Sequence, residues 1–184
     1  MNIYREKESD NSTETKRKHK PWKSRIHNFI HSPSPRKKIH RQSLNDFHKF
    51  GESLEKLISH KCGQAAFHVF LKSEFCDENL EFWLACEELK SITNPEDLTY
   101  RAIAIYDEFI RKDAPKEINL DFYTRDTIAQ NLQLPAAVCF VEAQRKVYSL
   151  MENDVYPRFL QSDCYRDLCV AASGALGLGN HSRA

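Results

Sequence analysis

Six cysteines, Cys62, Cys76, Cys86, Cys139, Cys164 and Cys169, are the first residues in this chain whose chemistry must be weighed, and they are spaced by 14, 10, 53, 25 and 5 positions. Structural zinc sites are built on close C-x2-C pairs, and none is present. Four of the eight histidines (His19, His27, His31, His40) lie in a polar stretch that nothing fixes, so neither a metal nor a cofactor is expected. Cys86 and Cys139 sit in apolar helical stretches, where a thiol is ordinarily inert core. The adjacent Glu87 and Glu88 point about 100° apart on a helix, which suits a solvated face better than paired acid and base work. Two other groupings carry more information. Ser73 to Leu80 (Ser-Glu-Phe-Cys-Asp-Glu-Asn-Leu) reads as a loop entering a helix, where exposed backbone N–H groups gather; Asp77 can serve as cap, which leaves Glu78 and Asn79 unexplained. Asp154 and Arg158 stand at i, i+4 with the acid first. An arginine so placed fixes the direction of a carboxylate and presents it to a partner's N–H groups.

The elements that position these residues read as helices. The chain has 184 residues, the size of one domain with a tail, and only five glycines, of which Gly51 and Gly63 alone precede the last eleven positions. Hairpins and phosphate-cradling loops consume glycine, so a sheet protein or a nucleotide-binding loop is not expected. Apolar residues recur with helical period from Ser43 onward. Leu44, Phe47, Leu54, Leu57 and Ile58 form one stripe. A short helix from Ala65 to Leu71 follows a stop at Gly63. Leu80, Trp83, Leu84 and Leu89 form a third face, capped by Asp77. Asn94-Pro95 opens a long helix through Ile110; Asp121 caps one running to about Asn131. After Pro135 comes the longest, with Val138, Val141, Val147, Tyr148, Leu150 and Met151 on its face, then short pieces from Asp154 to Gln161 and Asp163 to about Ala172. The fold class predicted is all-α.

The near-neutral formal charge of +1 hides a division. Ten basic residues and no acid lie between Lys16 and Arg41, which leaves 17 basic residues against 26 acidic ones elsewhere, or −9. That balance argues against a general nucleic-acid coat. Within the arm, Trp22, Ile26, Phe29 and Ile30 fall on one helical face with Lys23 and Arg25 outside it, the pattern of a helix that folds on an anionic membrane surface. A nuclear-import run is the alternative for the same charges. The longest apolar run, Ala136 to Val141, is far short of a bilayer span. No secretory leader or myristoylation glycine is read at the start, so the cysteines are expected as reduced thiols and the location as cytoplasmic or peripheral at the inner plasma membrane, with nuclear entry open. The expected layout is 1–15 without fixed structure, 16–41 a membrane-targeting arm, 42–172 the helical domain and 173–184 a flexible tail.

Three long runs, Phe70 to Glu87, Ala114 to Asp121 and Tyr148 to Leu160, closely resemble the regulator of G-protein signalling (RGS) family, in particular its small members with one domain and a basic N-terminal arm. The resemblance covers about residues 48–170. It implies nine helices, an antiparallel four-helix bundle and a smaller subdomain of terminal helices. The activity it implies is acceleration of GTP hydrolysis by heterotrimeric G-protein α subunits, which ends receptor signalling. Such a protein is not itself an enzyme: it holds the partner's switch segments in their transition-state arrangement.

Carried over position by position, the implied switch contacts are Phe75, Cys76, Glu78, Asn79, Asn119, Leu150, Asp154, Val155 and Arg158. Asn119 stands beside the partner's glutamine, and Asp154, steadied by Arg158, accepts switch I N–H groups. Cys76 and Val155 replace the usual serines, which bears on whether the i/o or the q class of α subunit is preferred. A non-catalytic adaptor of the same shape, blocking effectors without accelerating hydrolysis, is the competing reading. A GTP-bound α subunit and an anionic membrane are the expected partners, and a monomer is the default.

Overall fold

The computed structural model describes residues 49–132 and 136–177. Among them are nine α-helical segments: α1 (Leu54–Ile58), α2 (Lys61–Ser73), α3 (Glu78–Lys90), α4 (Pro95–Ile105), α5 (Phe122–Asn131), α6 (Ala136–Cys139), α7 (Val141–Leu150), α8 (Tyr156–Leu160) and α9 (Asp163–Gly177). Two π-helical turns, Tyr106–Ile110 and Met151–Val155, follow α4 and α7. No strand occurs among the described residues. The expected arm, including Trp22, Lys23, Arg25, Ile26, Phe29 and Ile30, and the stripe residues Leu44 and Phe47 lie outside the described residues. No described helix is long and apolar enough to cross a membrane.

Several helix starts follow directly from the sequence. Asn94 accepts hydrogen bonds from the N–H groups of Glu96 (2.8 Å) and Asp97 (3.1 Å), with Pro95 in the first turn. Asp121 accepts from the Thr124 N–H at 2.9 Å, and Lys146 of α7 also pairs with its carboxylate. These bonds hold the Asp121 carboxyl below the usual carboxylate range, the one from Lys146 contributing most.

Elsewhere packing overrides the local signal. Gly63 does not stop a helix: α2 runs through it for 13 residues, because its missing side chain lets α2 lie against α1. A Cβ there would stand 2.1 Å from the Leu57 carbonyl oxygen. Asp77 makes no capping bond and has helical backbone angles. The expected break near Asp154 is absent, and α7, the π turn and α8 run on from Val141 to Leu160. The reason lies in the buried row Val147, Met151, Val155 and Phe159. Each step of four residues drifts about 40° around an α-helix. One wider turn, in which the Tyr156 N–H reaches the Met151 carbonyl, brings the row back onto the core. Val138, Val141 and Leu150 of the expected apolar face are exposed instead. Residues 173–177, expected in the tail, continue α9.

Two aromatic clusters form the core. Phe82 of α3 meets Phe109 and Phe140 at centroid distances of 5.7 and 6.2 Å, where α3 packs on α4, α6 and α7. Ser91 to Asn94 is too short to join α3 and α4 other than antiparallel. Phe159 of α8 meets Phe67 and Phe70 of α2 and Tyr165 of α9, building the terminal subdomain, and the Tyr156 hydroxyl closes it by donating to the Phe50 carbonyl at 2.7 Å. Glu87 and Glu88 are not solvated decoration. Glu87 accepts from Gln144 of α7 (2.6 Å) and Glu88 from Arg101 of α4 (3.1 Å), so both clamp α3 to its neighbours.

The most buried ionic contact lies where α2, α3 and the loop after α4 converge. Glu81, 5% exposed, bonds His68 of α2 at 3.0 Å through Oε1 and pairs with Lys116 through Oε2. Burial opposes its ionisation, yet the bonds from His68 and Lys116 outweigh that and hold the carboxyl below the usual range.

Two outcomes follow from this packing. Gly63→Ala is expected to cost about 1–3 kcal/mol in urea unfolding, because a backbone carbonyl cannot yield as a side chain would. Glu81, whose pKa is depressed by folding, stabilises the fold in full above the ordinary carboxylate range, and that stability is lost as the pH falls through the depressed value. Glu81→Gln should therefore lower stability at pH 7 by about 1–3 kcal/mol, a deficit that shrinks in the same measurement as the pH falls below the ordinary carboxylate range.

Candidate functional site

Helix α2 ends in a way that determines the site. Past the C-cap Glu74, Phe75 takes φ 57°, in the left-handed region usually left to glycine. The Cys76 N–H then reaches the Leu71 carbonyl at 3.0 Å and the Phe75 N–H reaches that of Lys72 at 3.3 Å, the paired bonds of a Schellman cap. A phenylalanine in this conformation costs about 1–2 kcal/mol, and here its ring is 93% exposed, so no burial offsets the strain. A strained turn that holds an aromatic outward makes this a candidate contact surface.

The same turn sets Cys76, Glu78 and Asn79 in a row at the start of α3. Asn79 is buried, and its amide NH2 donates to the Cys76 carbonyl (3.1 Å) and to Glu78 Oε1 (2.9 Å), while its Oδ1 has no hydrogen-bond partner. Burial raises the Glu78 carboxyl above its ordinary range, with Asp77 and Glu81 adding to the effect. Burial likewise pushes the Cys76 thiol up to about 11, helped by the Glu78 and Glu74 carboxylates and opposed by Arg158. Cys76 is therefore a protonated thiol at neutral pH, a weak donor rather than a nucleophile. Burial raises the Cys86 and Cys139 thiols too, in keeping with inert packing.

Arg158 joins this row to the other end of the chain. One guanidinium nitrogen reaches Asp154 Oδ1 at 2.5 Å and the other reaches Glu74 Oε2 at 3.1 Å. The expected pair thus gains a third member, Glu74, which sequence spacing had no means to supply across 84 positions. All three side chains stay open to solvent, at 59, 45 and 37% exposed for Asp154, Arg158 and Glu74. Leu150, one turn before Asp154, is exposed on the same continuous rod. Val155 differs from expectation. It is 3% exposed and belongs to the core row, so its side chain is turned away from solvent.

Asn119 sits on the loop that closes the end of α4. The carbonyls of Glu108 and Phe109, left without helical partners, accept the N–H groups of Lys116 and Ile118, each at 3.0 Å. Extended backbone alternates its side chains, so buried Ile118 and Leu120 leave Asn119 pointing to solvent between them. Lys116 ties this loop to Glu81, one turn beyond Glu78 on α3. Apart from Val155 and the equally buried Asn79, the expected contacts are thus presented by a backbone that is itself pinned.

The sequence model described as the Regulator of G protein signaling domain matches residues 53–168. The chain is 49% identical over 134 residues to Regulator of G-protein signaling 8 of Mus musculus and of Homo sapiens, spanning 73% of this chain and 74% of each relative. It is 56% identical over 124 residues to Regulator of G-protein signaling 16 of Sus scrofa, spanning 67% of this chain and 62% of that one. The match runs from the α1 cap to α9 and takes in the pinned turn, the Asn119 loop and the Asp154–Arg158 pair: the chain belongs to the regulator of G-protein signalling family.

Proposed function

We propose that this chain accelerates GTP hydrolysis on heterotrimeric G-protein α subunits of the i/o or q class, and so ends receptor signalling. The observation that carries the proposal is the bridge from Asp154 through Arg158 to Glu74, which joins the end of α2 to the end of the long rod in one solvent-facing polar row. Fixed acceptors beside an outward aromatic suit the capture of a flexible backbone segment through its N–H groups. Asn119, whose amide both donates and accepts, suits a contact to a glutamine that orients the attacking water. The chain's sequence contains no GxxxxGK or GxGxxG phosphate-binding motif. Its contribution is to hold the partner's switch segments in reactive geometry, so the rate gain comes from preorganisation and not from a group added to the reaction.

In this proposal the basic arm concentrates the protein at an anionic inner leaflet, where each basic residue near the surface contributes about 1 kcal/mol and Trp22, Ile26, Phe29 and Ile30 add apolar burial. The support is the sequence pattern of residues 16–41.

Single-turnover GTP hydrolysis by an i/o-class or q-class α subunit should speed up on adding this protein. Asn119→Ala and Asp154→Ala should each remove roughly tenfold or more of the gain, about 1.4 kcal/mol of transition-state stabilisation, while circular dichroism stays helical. Unchanged hydrolysis across all α classes, together with binding to the aluminium-fluoride form, would establish the adaptor reading instead. In a separate measurement, the full chain should sediment with phosphatidylserine vesicles at low salt and less so at high salt. Trp22→Ala with Lys23→Glu and Arg25→Glu should abolish that sedimentation, and equal pelleting of the triple variant would exclude the arm as anchor.

A further inference from the structure

The donor atoms of His68, Asp77 and Glu81 come within 4.8 Å of one another. His68 Nε2 lies 3.0 Å from Glu81 Oε1 and 3.8 Å from Asp77 Oδ2. An ion bound tetrahedrally by nitrogen and oxygen at about 2.0–2.2 Å holds its ligands about 3.3–3.6 Å apart, between the two distances measured from His68, and the partly exposed Asp77 side chain can swing in where its separation from Glu81, within 4.8 Å, is wider than that. We propose that His68, Asp77 and Glu81 form a binding site for a divalent transition-metal ion of zinc's class, with water completing the coordination.

The fold prearranges this donor set. Asp77 and Glu81 are four residues apart at the start of α3 and face the same side, toward the middle of α2, where His68 is buried. Two carboxylates against one imidazole and one ammonium make the pocket attractive to a cation. Lys116 engages Glu81 through Oε2 and leaves Oε1 toward His68, the arrangement in which a ligating carboxylate is oriented by an outer partner. An entry path exists, since the Asp77 side chain is 31% exposed while those of His68 and Glu81 are 8 and 7% exposed. One imidazole among oxygens favours zinc, cobalt or manganese over calcium and magnesium, which take all-oxygen sets. Ligation through Nε2 leaves the imidazole proton on Nδ1, which is buried without a hydrogen-bond partner. That cost holds the affinity below that of a closed four-ligand structural site, so the ion loads and leaves with its supply. Bound, it cross-links α2 to α3 beneath the turn that carries Phe75 and Cys76.

Cobalt(II) titrated into the full chain under reducing conditions provides the test, because it reports its ligands in the visible spectrum. One equivalent per chain that depends on Asp77 is expected, with the comparatively intense visible ligand-field bands of tetrahedral cobalt, no thiolate charge-transfer band, and displacement by zinc. Thermal unfolding should shift upward with the metal. Asp77→Asn, a partly exposed and nearly isosteric change, should weaken that equivalent at least tenfold and abolish the thermal shift; His68→Gln should do the same if it folds. Equal binding and an equal thermal shift in Asp77→Asn would overturn the proposal, as would a thiolate band accounting for all bound metal, or no binding at about millimolar cobalt.

Discussion

A carboxylate in the interior needs compensating partners, and Glu81 obtains its two from opposite directions. His68 reaches it from α2, Lys116 from the loop that closes α4. Removing either partner would leave a buried charge uncompensated, so the three segments are held in one mutual arrangement. The polar groups of the candidate surface hang from those same segments. Glu78 and Asn79 precede Glu81 by three and two residues, Asn119 follows Lys116 by three residues, and Phe75 and Cys76 follow the end of the helix that carries His68. One ionic contact beneath the surface thereby sets the spacing of groups on it.

Two departures from regular helix serve the same end. The left-handed turn at Phe75 reverses the chain within two residues, so that α3 begins close to the end of α2 and Glu74 is left facing Arg158. The π turn at Met151–Val155 keeps Val147, Met151, Val155 and Phe159 on the core while Asp154 stays outside. Without that wider turn, either Phe159 would leave its aromatic cluster or Asp154 would rotate toward the interior. The strain at Phe75 is tolerated because the surrounding packing over-determines it.

Charge is organised on a larger scale in the same spirit. A basic arm and an acidic remainder nearly cancel in the sum, and in the proposed function they meet different surfaces: an anionic leaflet for one and a set of backbone N–H groups for the other. In the proposed function the arm supplies local concentration and the folded domain supplies geometry, so neither substitutes for the other.

Much of the architecture was legible from residue types alone, because period and capping are local properties. Asn94-Pro95 and Asp121 capped the helices they were expected to cap, the all-α class followed from the scarcity of glycine and the helical stripes, and the three long runs identified the family. The failures share one cause, which is that they depended on what lies across the interface. Gly63 looks like a stop until Leu57 is seen against it, and Asp77 looks like a cap until His68 is seen beside it. Glu87 and Glu88 look solvated until Gln144 and Arg101 approach, and Val155 looks like a contact until the π turn carries it inward. The sequence by itself determined which segments are helical and which residues are chemically equipped. Tertiary structure alone decided which of them face solvent and which meet, as with Glu74 and Arg158, because side-chain direction is set by packing between elements distant in the chain.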